Sequence, residues 1–171
     1  MNSPILKFIC AAGIFTASSL AYGADRGLYV GGGIGSATTG LSGYGNSSGT
    51  YQFFAGAQSE GFGFEVGYVD LGEFKKTGVL QNKYNVDGVQ LKALGEMFLS
   101  KDVFGYGSFG FYNWNLDDNA SGSDSGTSIT FGLGLKVELG DNLFARGGWD
   151  RFNKIADEKS DLLSLNIGYR F

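Results

Sequence analysis

The stretch Asp161 to Phe171 constrains the fold most. Leu163, Leu165, Ile167, Tyr169 and Phe171 recur at every second position, with Ser164, Asn166, Gly168 and Arg170 between them. Period two places the first set on one face of an extended strand and the second set on the other. The apolar face ends in two aromatics, and the sequence stops on Phe171. A strand whose apolar face meets lipid, with aromatics at the membrane interface, accounts for this pattern better than a soluble strand does.

A second run repeats the message. Thr127, Ile129, Phe131, Leu133, Leu135, Val137 and Leu139 share one face, and Ser128, Thr130, Gly132, Gly134, Lys136 and Glu138 share the other. Turning Lys136 toward lipid would cost ~2–4 kcal/mol near the membrane midplane. The apolar face is therefore expected to point outward and the charged face inward.

Eight strand-like runs separated by breakers can be marked, near 27–36, 49–58, 62–72, 84–99, 103–116, 127–139, 143–152 and 161–171. Tight turns are expected at Ser59-Glu60-Gly61, Ser100-Lys101-Asp102 and Gly140-Asp141-Asn142. Longer polar loops are expected near 37–48, 73–83, 117–126 and 153–160. Short turns alternating with longer loops in an even-stranded meander suit an outer-membrane barrel. Most runs also reach the ~9–11 residues that a tilted strand needs to cross a bilayer.

The same orientation rule puts Tyr51, Phe53, Phe64, Val66, Leu91, Met97, Leu143 and Trp149 outside. The fifth run is open, because Phe104, Tyr106, Tyr112 and Trp114 oppose Val103, Phe109 and Phe111. The Gly-rich first run is also weakly oriented. The inward charges balance: Glu65, Glu96, Glu138 and Asp150 against Lys92, Lys136, Arg146 and Arg170. Eight strands enclose space for side chains only. Charges placed there must pair, so a plugged polar core is expected rather than an open pore.

Residues 1–23 read as a secretory signal peptide. Lys7 precedes the apolar run Phe8–Leu20, which is too short to span a bilayer, and Ala21-Tyr22-Gly23 fits a cleavage site. The barrel domain is then 24–171. Cys10 and Pro4, the only Cys and Pro, fall in the leader, so disulfides and Cys-based sites are excluded from the mature chain. Without Lys7 the chain carries 12 Lys and Arg against 17 Asp and Glu, and it has no basic run, which argues against nucleic-acid binding.

Catalytic signals are weak. The chain has no His, so a Ser–His hydrolase or acyltransferase site lacks its base, and no enzyme is expected. Asp117-Asp118-Asn119-Ala120-Ser121-Gly122 matches the opening of a calcium loop, but Ser128 stands where a bidentate Glu belongs. No metal or cofactor is expected. Trp114, Trp149, Tyr169 and Phe171 read as an interfacial aromatic girdle.

Two segments, Phe131–Phe152 and Phe64–Gly72, resemble the strand signatures of the OmpA-like small outer-membrane barrels. The ending Tyr169-Arg170-Phe171 resembles their C-terminal signature. The resemblance implies an all-β, eight-stranded antiparallel up-and-down transmembrane barrel in the bacterial outer membrane. It implies an internal salt-bridge network, with Lys136 and Arg146 at inward charged positions. It also implies insertion by the barrel-assembly machinery, which would read Tyr169 and Phe171. It is to the barrel alone, with no peptidoglycan-binding domain expected after it.

The expected role is structural, in envelope integrity, with outer-membrane lipid and lipopolysaccharide as partners. A surface adhesin whose loops bind a host ligand and a narrow channel for small solutes are the alternatives. A soluble lipocalin-like barrel is the structural competitor, and it would need the apolar faces turned inward.

Overall fold

A computed structural model of the chain describes residues 26–40, 48–75, 83–118, 122–155 and 158–171. Eight strands run in order: β1 (Arg26–Thr39), β2 (Ser48–Ser59), β3 (Phe62–Lys75), β4 (Lys83–Ser100), β5 (Val103–Asp118), β6 (Gly122–Glu138), β7 (Leu143–Ile155) and β8 (Glu158–Arg170). Each pairs antiparallel with its sequence neighbours, and β8 returns to β1. Closure pairs each strand on both sides in the middle of the barrel, which is the condition for a sheet surrounded by hydrocarbon; toward the loop end β6, over 122–129, pairs with β5 alone.

The register sets the tilt. Ladder partners lead from Leu28 through Ala57, Phe64, Ala93, Phe109, Phe131, Arg151 and Asp161 back to Thr38. The circuit therefore comes back to β1 ten residues further along. That stagger over eight strands goes with strands inclined about 35–45° to the barrel axis, around a lumen that side chains fill.

Burial is inverted relative to a soluble protein. Leu165 is 71% exposed and Leu133 60% exposed, whereas Lys136 is 3% and Arg146 5% exposed. The outer surface is a continuous apolar band whose aromatics stack edge-on, as in Phe62–Phe64, Phe109–Phe111 and Tyr169–Phe171. The lipocalin-like competitor fails on this observation, because its apolar faces would be inside.

Facing is now defined for the two open strands. In β5 Phe109 and Phe111 point outward, and Tyr106, Ser108, Tyr112 and Trp114 point inward. In β1 Leu28, Val30 and Ile34 are outside, and Tyr29 and Ala37 are inside. Trp114 is therefore not part of the girdle: it is 5% exposed, inside the barrel. Trp149 stays on the outer face beside Phe131, and Tyr169 and Phe171 stay exposed.

Loop lengths differ from expectation. Residues 122–126 belong to β6 and 117–118 to β5, so only 119–121 separate those strands. Likewise β7 and β8 are separated by 156–157 alone. The ladders run past the apolar band because backbone pairing needs no greasy side chain, only a neighbouring strand. The residues that match the opening of a calcium loop are thus mostly hairpin arms, with Ser128 buried in the lumen; 119–121 lie outside the described residues, as do residues 1–23, the expected leader.

The other end of the barrel carries the tight turns. Glu60 (φ 48°) and Gly61 (φ 79°) both lie in the left-handed region between β2 and β3. Two such residues form the turn whose twist matches that of the flanking strands.

Glycine is required where strands bow together. At Gly110 an added Cβ would collide with the Leu91 carbonyl and sit 2.9 Å from the Lys92 Cα. Both obstacles are backbone, so Gly110→Ala is expected to force the β4–β5 ladder apart and cost about 1–3 kcal/mol. Gly95→Ala, where nothing lies within 4 Å, is the control. Urea midpoints of the two variants in detergent would separate these outcomes.

Candidate functional site

The barrel interior is the site, and it is stratified. At the turn end a cavity of about 590 Å³ opens to solvent, walled by Gln58, Glu96, Phe104, Lys136, Glu138 and Arg170 among others. The Lys136 ammonium bonds to Glu96 and lies 3.2 Å from Glu138 and 3.5 Å from the Gln58 side-chain oxygen Oε1. Arg170 Nη2 lies 2.9 Å from Glu138 Oε1.

The next layer is buried, with Glu65, Lys92, Arg146 and Asp150 all at most 5% exposed. Arg146 makes a two-pronged contact to Glu65, Nη1 to Oε2 at 2.9 Å and Nη2 to Oε1 at 3.2 Å. The planar guanidinium fork suits a carboxylate in this way, and it also stacks on rings. Here its centre lies 4.4 Å from the Phe54 ring and 5.3 Å from the Tyr106 ring. Lys92 sits between two carboxylates, 3.5 Å from Glu65 and 3.7 Å from Asp150. Tyr29 donates its hydroxyl to Glu65 at 3.2 Å, and Ser108 reaches Asp150 at 3.5 Å.

All eight charged residues read from the sequence thus lie inside, in two clusters of two acids and two bases each. One is Glu65, Arg146, Lys92 and Asp150; the other is Glu96, Lys136, Glu138 and Arg170. Each cluster is neutral, which limits the cost of removing its charges from water. The parity of each strand put the charges on one face; the split into two clusters depends on the stagger between strands.

Above the charges comes a collar of neutral polar groups. Gln52 donates to Asn166 at 2.7 Å, Asn166 to Ser164 at 3.1 Å, and Gln90 to Thr130 at 3.2 Å. Above the collar the lumen turns apolar: Val69, Leu71, Phe74, Val86, Tyr112, Phe152 and Leu162 are all buried to 2% exposure or less. Sequence reasoning missed this plug. Its signal was present, since Val86 shares parity with Gln90 and Lys92, and Phe152 with Arg146 and Asp150.

One further pair was missed, on the outer face. Arg151 grips Asp161 through Nε at 2.7 Å and Nη2 at 2.9 Å, with its guanidinium 5.0 Å from the Trp149 ring. The two residues are direct ladder partners, half-exposed, where the apolar band gives way to polar residues. Among the described residues no group of three or more His, Cys, Asp or Glu is arranged to hold a metal ion.

A closed eight-stranded barrel with a greasy exterior and an ion-paired interior defines a transmembrane β-barrel. The chain belongs to the outer membrane protein beta-barrel domain family, whose model matches residues 8–171. It is an integral protein of the bacterial outer membrane, in contact with membrane lipid.

Outer membrane protein A of Yersinia pseudotuberculosis is 30% identical over 136 residues, covering 70% of this chain and 38% of that protein. The chain thus spans well under half the length of this relative. Solved small outer-membrane barrels share the fold, three of them as follows. Neisserial surface protein A has a TM-score of 0.62 at 16% identity, over 85% of this chain and 97% of that one. The N-terminal barrel of Pseudomonas aeruginosa OprF has 0.60 at 18%, over 85% and 99%. Yersinia pestis Ail, solved with the heparin analogue sucrose octasulfate, has 0.59 at 16%, over 86% and 98%.

Proposed function

We propose that the protein is a structural barrel that supports envelope integrity, with no catalytic role. The observation that carries this is the filled lumen: charges paired at the centre and an apolar plug at one end. A barrel packed in this way gives its side chains to stability rather than to a transport path. In this reading residues 1–23 are a cleaved signal peptide and both termini lie in the periplasm, with the tight turns. The interior network serves to fill and fix the barrel, and Arg151 and Trp149 meet lipopolysaccharide at the outer interface. A deletion strain is expected to become sensitive to detergent and bile salts, and the wild-type chain to restore resistance. Unaltered sensitivity would remove the structural reading.

Assembly offers a second test. Tyr169 and Phe171 are proposed as the signal read by the barrel-assembly machinery. Phe171→Ala with Tyr169→Ala is expected to lower the folded, heat-modifiable fraction in the outer membrane severalfold, while the purified chain still refolds in detergent. Equal folded fractions in cells would remove that role.

A surface adhesin is the second reading, prompted by the heparin analogue bound to Ail. The connections available to it are short, with three residues between β5 and β6 and two between β7 and β8. Cell-surface binding of a sulfated polysaccharide that is lost on replacing 41–47 or 76–82 with Gly-Ser, in a barrel still heat-modifiable, would favour it over the structural role.

A further inference from the structure

We infer that the lumen is a one-ended vestibule: solvent enters from the turn end as far as Lys136 and Glu96, and the apolar plug at the loop end, rather than the charged pairs, is the barrier to permeation. This goes beyond a closed interior by assigning the seal to particular residues. The statement of which face is periplasmic rests on the orientation proposed above.

Three observations carry it. The turn-end cavity is open and lined by charged and polar side chains, so water and small ions have partners there. The central ion pairs are buried but polar. A hydrated path could run past them if they exchanged partners, since Lys92 already lies within 3.7 Å of two carboxylates. The loop-end plug offers no charged partner: its polar atoms are neutral, among them the Ser128 hydroxyl, which donates to the Ile129 carbonyl, and the Trp114 indole N–H, which is buried without a hydrogen-bond partner among the described residues. Tyr112 and Phe152 meet at 4.9 Å between ring centres. The Tyr112 hydroxyl donates to the Val69 carbonyl at 3.0 Å, so its one polar atom is engaged within the plug. Phe74, Trp114 and Leu162 complete the layer.

An ion in such a layer loses its hydration and gains no charged partner, and a mostly apolar constriction excludes water as well. Neutralising the charges therefore does not open a transmembrane path. The charges hold the barrel, and the plug closes it.

Cysteine scanning tests this, because the chain's one Cys, Cys10, falls in the leader. A membrane-impermeant charged thiol reagent would be applied to either face of the folded barrel in oriented membranes. Gln58→Cys, in the cavity wall, is expected to label from the turn side only. Ser164→Cys, in the polar collar, is expected to label from neither side. Adding Tyr112→Ala and Phe152→Ala should expose Ser164→Cys to the loop side. Adding Glu65→Gln and Arg146→Gln instead should leave it closed to the loop side, with planar-bilayer conductance at background.

Loop-side labelling of Ser164→Cys with the plug intact would overturn the inference, as would conductance in the neutralised barrel. Both readings stand even if the plug variant does not fold, and heat-modifiable mobility identifies that case. In whole cells, labelling of Gln58→Cys from outside would refute the orientation while leaving the one-ended lumen in place.

Discussion

Arg146→Leu is expected to lower the stability of the folded barrel by about 3–5 kcal/mol, the cost of stranding a buried charge. The guanidinium is the two-pronged partner of Glu65, and both groups are at most 5% exposed. Without it the Glu65 carboxylate keeps only Lys92 at 3.5 Å and the Tyr29 hydroxyl at 3.2 Å. Phe54 and Tyr106 also lose the cation they flank. Leu fills part of the space and repairs none of the charge.

The double variant Arg146→Leu with Glu65→Gln is expected to recover much of the loss. Removing both partners leaves no unpaired charge between them, and Lys92 retains Asp150 at 3.7 Å. Urea midpoints in detergent micelles measure both. Equal midpoints for wild type and Arg146→Leu would show that the pair contributes nothing to holding the barrel.

Leu133→Arg is expected to cost about 2–4 kcal/mol in a lipid bilayer. Leu133 is 60% exposed and central in the outward row from Ile129 to Val137 on β6, so the new charge has only hydrocarbon around it. Thr127→Arg, three repeats of the pleat nearer the loop end on the same face, should cost about 0–1 kcal/mol because the side chain reaches the interface. The depth dependence is the informative part. Equal effects at the two positions would mean that the outward row does not face lipid.

Much of the fold was legible because the strand period is two and one face of each strand meets a different solvent. A charge in the middle of a run orients it, as Lys136 does for β6 and Arg146 for β7, whereas charges near the ends, such as Arg151 and Asp161, sit outside. β5 carries charge only at its loop end, in Asp117 and Asp118, which is why its facing remained open. Its Trp114 lies near the polar end of the strand and resembles an interfacial aromatic, yet it is inside with the plug. The loop spans 117–126 and 153–160 were misread for a related reason: polar residues look like loop, but ladder hydrogen bonds continue through them.

The eight charged residues and their direction came from alternation alone, since a misplaced charge in lipid is costly enough to settle a whole strand. Their partners did not, because partnership depends on the ten-residue stagger that closure imposes between β8 and β1. That stagger divides the charges into two neutral clusters and stacks a polar collar over them. It also brings Val69, Tyr112, Phe152 and Leu162 from four different strands to one level. A linear sequence carries the facing of each residue but not its height in a tilted barrel, and height decides which side chains meet.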